Sequence, residues 1–218
     1  MIVILLSYNE ASLLGQGEKT MAIKAIIKTH PIIAAAQWEG MEQAVASKAG
    51  AVFLMYARLG DLMEKRFSRY NRQKPVFIHT DLVKGLAGDS ESARFLQHFI
   101  KPAGIVSTKG PMIRSAKKAG LLTIQRIFLI DTKSLKNALD SVHENNPDAV
   151  EIMPGLAPSI IPWLRERFSQ PLIMGGLIFQ AAQIQAALDA GADAVSLSAA
   201  HLWDLEPAGY IYPELTPA

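Results

Sequence analysis

From residue 31 onward, short apolar runs recur about every 20 to 30 positions, and the stretches between them carry apolar residues at helical spacing. The runs fall at 32–36, 51–56, 76–81, 104–107, 122–128, 149–153, 172–175 and 194–198. Alternation of strand-like and helix-like segments is the pattern of parallel βαβ units, because a parallel strand can be reached only through a crossover. The intervening stretches, such as 134–142 and 181–190, end near Gly or Pro, as crossover helices do. Eight strands favour closure, so the expected fold is α/β, a single-domain (β/α)8 TIM-type barrel over 21–204. The other arrangement compatible with the pattern is an open doubly wound sheet, with its ligand at a topological switch point. Residues 1–20 fit the repeat poorly and Met21 offers a second start, so this segment is read as an N-terminal appendage of unknown role. Residues 205–218 are read as a C-terminal tail.

Within a strand, residues two apart share a face, and a barrel lumen receives one of the two sets. In the third run this places Phe77, His79 and Asp81 inward and Val76 and Ile78 toward the helices. The same count sends Ser107 and Lys109, Thr123 and Gln125, Glu151, and Ser196 and Ser198 inward. Val106, Leu122, Ile124, Val150, Ile152, Val195 and Leu197 are then expected to face the helices. Polar groups from five strand ends converge at one mouth, where a purely structural barrel would be filled mainly by branched apolar residues.

Gly175-Gly176 follows the seventh run, and the last two loops of such barrels commonly hold phosphate. Glycines let the backbone approach a ligand, and the free N–H groups and positive dipole end of a following helix attract an anion. A lone Gly-Gly is also an ordinary tight turn. His79 and Asp81 are candidates for a base and its orienting carboxylate, for metal ligands, for a polyol-binding pair, or for a satisfied core pair. Glu151 lies amid an apolar run and requires a nearby cation or donor, for which Lys109, Arg126 and His79 are the candidates. Lys109 is either a phosphate contact or a surface residue, and Pro154-Gly155 either a ligand-contacting loop or a turn.

The 218 residues suffice for one barrel with a sizeable core. With half of them hydrophobic and 19% charged, the composition is that of a globular protein and not of a disordered one. The absence of cysteine removes disulfides and thiol chemistry, and is compatible with a cytoplasmic setting. The six opening apolar residues are too few for a secretory signal or membrane span. A net charge of +2 is too small to announce nucleic-acid binding, so any RNA contact must be local. Two basic clusters qualify: Lys65, Arg66, Arg69, Arg72 and Lys74, and Arg114, Lys117 and Lys118. Solvated helix faces account for such clusters equally well.

Several long segments give the chain a resemblance to a known family. These are Val76-Phe77-Ile78-His79-Thr80-Asp81-Leu82-Val83-Lys84-Gly85-Leu86, Gly104-Ile105-Val106-Ser107-Thr108-Lys109 and the block from Gly120 to Asp131. Val150-Glu151-Ile152-Met153-Pro154-Gly155, Gly175-Gly176-Leu177-Ile178, and the end near Ser198 and Leu202-Trp203 complete it. Between about His30 and Trp203 the sequence resembles the glycerol-3-phosphate-responsive antiterminators, regulators of glycerol uptake operons. The resemblance implies a barrel that binds sn-glycerol 3-phosphate and, when liganded, contacts leader mRNA so that transcription passes a terminator. It implies no catalysis, and neither a cofactor nor a metal is called for. A homodimer is compatible with it, and no membrane partner is expected. Two places depart from the family's pattern: Gln37-Trp38-Glu39-Gly40 stands where a more charged turn is expected, and Ala199-Ala200 where a more polar pair is.

Combined with the strand count, these readings put phosphate on Lys109, Gly175, Gly176, Ser196 and Ser198. The hydroxyls fall to His79, Asp81, Gln125, Arg126, Glu151 and Gly155. Lys65, Arg66, Arg69, Arg72, Arg114, Lys117 and Lys118 are the RNA-contact candidates. The competing expectation is a barrel isomerase, aldolase or synthase acting on a small phosphorylated substrate, with His79 as base. A plain metabolite-binding protein is the third.

Overall fold

The computed structural model describes residues 15–209; the expected appendage up to residue 14 and the tail from residue 210 lie outside the described residues. The chain runs α1 (Gln16–Thr29), β1 (Ile32–Ala36), α2 (Met41–Ala46), β2 (Ala51–Leu54), β3 (Ala57–Arg58), α3 (Leu59–Met63), α4 (Lys65–Gln73) and β4 (Val76–His79). It continues through β5 (Val83–Lys84), α5 (Ser90–Phe95), β6 (Gly104–Ser107), α6 (Gly110–Lys118), β7 (Leu122–Phe128) and α7 (Thr132–Asn145). The last elements are β8 (Ala149–Met153), α8 (Ile161–Arg165), β9 (Leu172–Gly175), α9 (Ala181–Asp189) and β10 (Ala194–Leu197). Eight strands close in the order β1-β10-β9-β8-β7-β6-β4-β2, all parallel, so the expected (β/α)8 barrel is the fold. β3 and β5 form a separate two-stranded ribbon beyond the ends of β2 and β4. Among the described residues no helix is long and apolar enough to cross a membrane.

Local chemistry explains the elements. α7 starts where the Asp131 carboxylate accepts from the Ser134 N–H at 2.7 Å and Ser134 Oγ accepts from the Asp131 N–H at 2.9 Å, a reciprocal cap. It ends at Asn146 in the left-handed region. The apolar residues then sort into two layers. Ile33, Phe53, Phe77, Val106, Leu122, Ile124, Ala149, Ile173 and Ala194 fill the lumen, with Phe53 and Phe77 packed edge to face at 6.0 Å. Ile23, Ile26 and Ile27 of α1, spaced to share one helix face, plug its amino-terminal end. Burying one such side chain contributes about 1.5–3 kcal/mol. Val76, Ile78, Val150, Ile152, Leu172, Val195 and Leu197 face the helices.

The register corrects the expected facing of two strands. Phe77 aligns with Gly104 and His79 with Val106, and Val106 in turn with Ile124, so Val106, Leu122 and Ile124 inherit the inward side. Thr123 and Gln125 therefore point out of the lumen, not into it. Thr123 gives its N–H and its hydroxyl to the buried Asp148 carboxylate at 2.8 Å each. Gln125 donates to Ser141 Oγ at 2.8 Å and accepts from Asn145 Nδ2 at 3.1 Å, both on α7. Polar strand residues are here satisfied between the barrel and its helix layer. Burial raises the Asp148 pKa, and the Thr123 hydrogen bonds and the charges of Lys117 and Lys19 offset part of that rise.

Candidate functional site

Parallel register sets Arg126 of β7 directly beside Glu151 of β8, and Ser196 of β10 beside Gly175 of β9, all on the inward face near the carboxyl ends. Arg126 Nε donates to Glu151 Oε2 at 2.6 Å, and Ser196 Oγ–H donates to Glu151 Oε1 at 2.5 Å. Glu151 is fully buried and Arg126 is 6% exposed, so the ion pair is a low-dielectric one whose carboxylate is engaged at both oxygens. A Cβ at position 175 would stand 2.1 Å from Ser196 Oγ and 2.8 Å from Glu151 Oε1. Glycine at 175 is thus what allows the triad to assemble.

Above the triad lies a cavity of about 320 Å³. Gln37, Arg126, Ser196, Ser198 and Gly176 supply its polar lining, while Met55, Met153, Leu177, Phe179 and the ring of Tyr56 are among its apolar walls. Gly176 has φ +78° and Leu177 φ +58°, so two successive residues are left-handed and the 176–177 turn exposes backbone toward this space. The Gly155 N–H donates to the Gly176 carbonyl at 3.0 Å and fixes this turn to the loop after β8.

His79, on the inward face of β4, is 2% exposed, and its Nδ1 is buried without a hydrogen-bond partner among the described residues. Burial, reinforced by the Arg126 charge, pushes its pKa down to about 4, against the smaller pull of Asp81 and Glu151. The imidazole is accordingly neutral near pH 7. Asp81 sits in the one-turn helix Thr80–Leu82 and not on β4. Its carboxylate accepts from Ser107 Oγ at 2.6 Å and from the Thr108 N–H and hydroxyl at 2.7 Å each. Burial pushes the Asp81 pKa up, and these hydrogen bonds outweigh it, leaving the pKa below the ordinary value.

The structure therefore brings together Arg126, Gly176, Ser196 and Ser198 around the cavity, with Glu151 and Gly175 against them and Gly155 beneath the turn. His79 is buried outside the cavity lining, near enough to feel the Arg126 and Glu151 charges. It does not bring in the others. Gln125 faces α7, Asp81 ties the β4 turn to the end of β6, and Ser107 answers Asp81. Lys109 is exposed at the start of α6, its Nζ 3.8 Å from where a Cβ at Gly88 would stand. Of the basic residues, Arg114 pairs with Glu144 at 2.9 Å and Lys117 donates to the Asn146 carbonyl, so that cluster binds α6 to the end of α7. In the other, Arg66 pairs with Glu64 and Arg69 with Glu42, while Lys65, Arg72 and also Lys118 are exposed. Met55, Tyr56 and Phe179 line the cavity without having been singled out in the sequence, and Gln37, noted there only as a departure from the family's pattern, lines it too; the apolar Leu177-Ile178-Phe179 directly after Gly-Gly was the available signal. Among the described residues no three acidic or imidazole groups converge as metal ligands.

Comparison with known proteins agrees with this architecture. A family model described as glycerol-3-phosphate responsive antiterminator matches residues 32–203. An uncharacterized protein of Escherichia coli (strain K12), YgcP, is 31% identical over 186 residues, which is 85% of this chain and 97% of that protein. Among solved structures, the glycerol uptake operon antiterminator regulatory protein of Listeria monocytogenes str. 4b F2365 matches with TM-score 0.77 and 31% identity, over 81% of this chain and 96% of that one. A glycerol uptake operon antiterminator-related protein of Thermotoga maritima MSB8 matches with TM-score 0.70 and 26% identity, over 81% and 99%. An aldolase, QR15, at TM-score 0.59 and 11% identity over 80% and 92%, shares the barrel fold alone. The chain belongs to the glycerol-3-phosphate responsive antiterminator family, a family of regulators.

Proposed function

We propose that this protein binds sn-glycerol 3-phosphate at the carboxyl-terminal mouth and, so loaded, contacts the leader mRNA of glycerol operons to let transcription pass a terminator. The observation that carries the reading is the Arg126 guanidinium, held through Nε by Glu151 and lining the same cavity as Gly176, Ser196 and Ser198. A guanidinium fixed at one edge keeps its terminal N–H groups pre-oriented for an anion. In this reading the phosphate rests on Arg126, the backbone of the 176–177 turn and Ser198. Lys109, outside the cavity, contributes only long-range attraction.

A sensing role suits these groups better than catalysis. Glu151 is engaged at both oxygens, and an imidazole with a pKa of about 4 is a weak base near neutrality. Regulation then requires that the ligand favour the RNA-competent state: a tenfold gain in RNA affinity corresponds to about 1.4 kcal/mol of coupling. The reading places the protein in the cytoplasm, where leader RNA is made. Titration calorimetry tests it. We expect sn-glycerol 3-phosphate to bind with micromolar affinity and glycerol not to bind measurably; equal, weak binding of the two would reject the assignment.

A further inference from the structure

Beside the ligand cavity, and sharing Gln37 and Tyr56 with it, lies a second one of about 360 Å³. Its wall is the β3–β5 ribbon, in which Arg58 and Lys84 are paired in register and both exposed. Like charges aligned across neighbouring strands repel. Neither side chain has a carboxylate within salt-bridge distance among the described residues. Asp61, which also lines the cavity, accepts from the Arg58 backbone N–H at 2.7 Å, capping α3. Two carboxylates, Glu39 and Asp61, line the cavity as well, so its net charge is near zero and the attraction that Arg58 and Lys84 offer a phosphodiester group is a local one.

The neighbouring side chains are aromatic. Tyr56, in the left-handed region at φ +51°, is 57% exposed despite its large ring. A non-glycine residue held there is strained, a state that persists when the surroundings impose it. Trp38, with the Arg66 guanidinium 5.4 Å from its ring centroid, lines the same cavity. An exposed ring next to two cations that make no salt bridge among the described residues is an arrangement by which single-stranded RNA is held, base on ring and phosphate on cation.

Resting on the RNA reading above, we infer that the β3–β5 rim is the RNA-contact surface: Arg58 and Lys84 hold a phosphodiester of an unpaired leader segment, and a base stacks on Tyr56. Because Tyr56 and Gln37 also wall the ligand cavity, ligand occupancy and RNA contact meet at those two residues. This differs from the α6 cluster, whose Arg114 and Lys117 are engaged with Glu144 and Asn146.

Fluorescence anisotropy with a labelled glycerol-operon leader transcript, at several salt concentrations and with saturating sn-glycerol 3-phosphate, tests the inference. For the Arg58→Ala/Lys84→Ala protein we expect at least a tenfold loss of RNA affinity. The slope of log K against log salt should fall by about 0.7 to 1.4, with calorimetric affinity for sn-glycerol 3-phosphate retained. Tyr56→Ala should lose RNA affinity about tenfold and Tyr56→Phe should keep it. Wild-type binding that survives the Arg58/Lys84 change, or that is lost instead in Lys65→Ala/Arg72→Ala/Lys118→Ala, would overturn the location. Failure of the wild-type protein to bind the transcript, with or without ligand, would overturn the RNA reading itself.

Discussion

Arg126 and Glu151 sit side by side on adjacent strands, in direct register, with Nε 2.6 Å from Oε2 in a site that water barely reaches. The pairing has two effects. It neutralises a carboxylate in the lumen, and it fixes the guanidinium so that the rest of it can face the cavity.

Glu151→Gln keeps the shape but leaves Arg126 charged and buried without its counterion. Removing one partner of a buried pair typically costs about 3–5 kcal/mol. Urea denaturation should show a loss of that order, and calorimetry at least a tenfold weaker sn-glycerol 3-phosphate. A variant of unchanged stability would mean that the pair is not desolvated.

Gly175→Ala should be more damaging than a surface glycine change, because the new methyl group meets Ser196 Oγ and Glu151 Oε1. We expect about 1–3 kcal/mol of destabilisation. Ser196→Ala in the same chain removes the oxygen at 2.1 Å and should restore part of it. Additive losses in the double variant would contradict the proximity of 175 and 196.

His79 makes stability depend on pH. Its folded-state pKa of about 4 lies below the unfolded value of 6.5, so below pH 6.5 the unfolded chain takes up a proton that the folded one refuses. Stability should fall as pH drops from about 6.5 to about 4 and lose nothing further from this group below that. The loss amounts to about 3 kcal/mol at most. In His79→Asn this part of the pH dependence should vanish; an identical profile would place its origin elsewhere.

Much of this architecture was legible in the chain. Parallel strands buried on both faces read as continuous apolar runs, and all eight were located, with Tyr56, Asp81 and Ser198 falling just past the ends of the strands assigned to them. Facing was legible at Glu151 and His79, but not at Ser107, which the register turns out of the lumen. It failed at Gln125, since a polar strand residue reads alike whether its partner lies in the lumen or, like Ser141 and Asn145, on a helix. Only alignment with neighbouring strands separates the two. The left-handed backbone at Tyr56 and Leu177 carries no residue-type signal, so the cavity walls built on those turns could not be read from the sequence.

A crystal structure of the protein with sn-glycerol 3-phosphate tests the central claim most directly. The phosphate is expected within hydrogen-bond distance of the Arg126 guanidinium, between the 176–177 turn and Ser198, with Glu151 still joined to Arg126. Phosphate bound at Lys109, or at any position out of reach of Arg126, would contradict it.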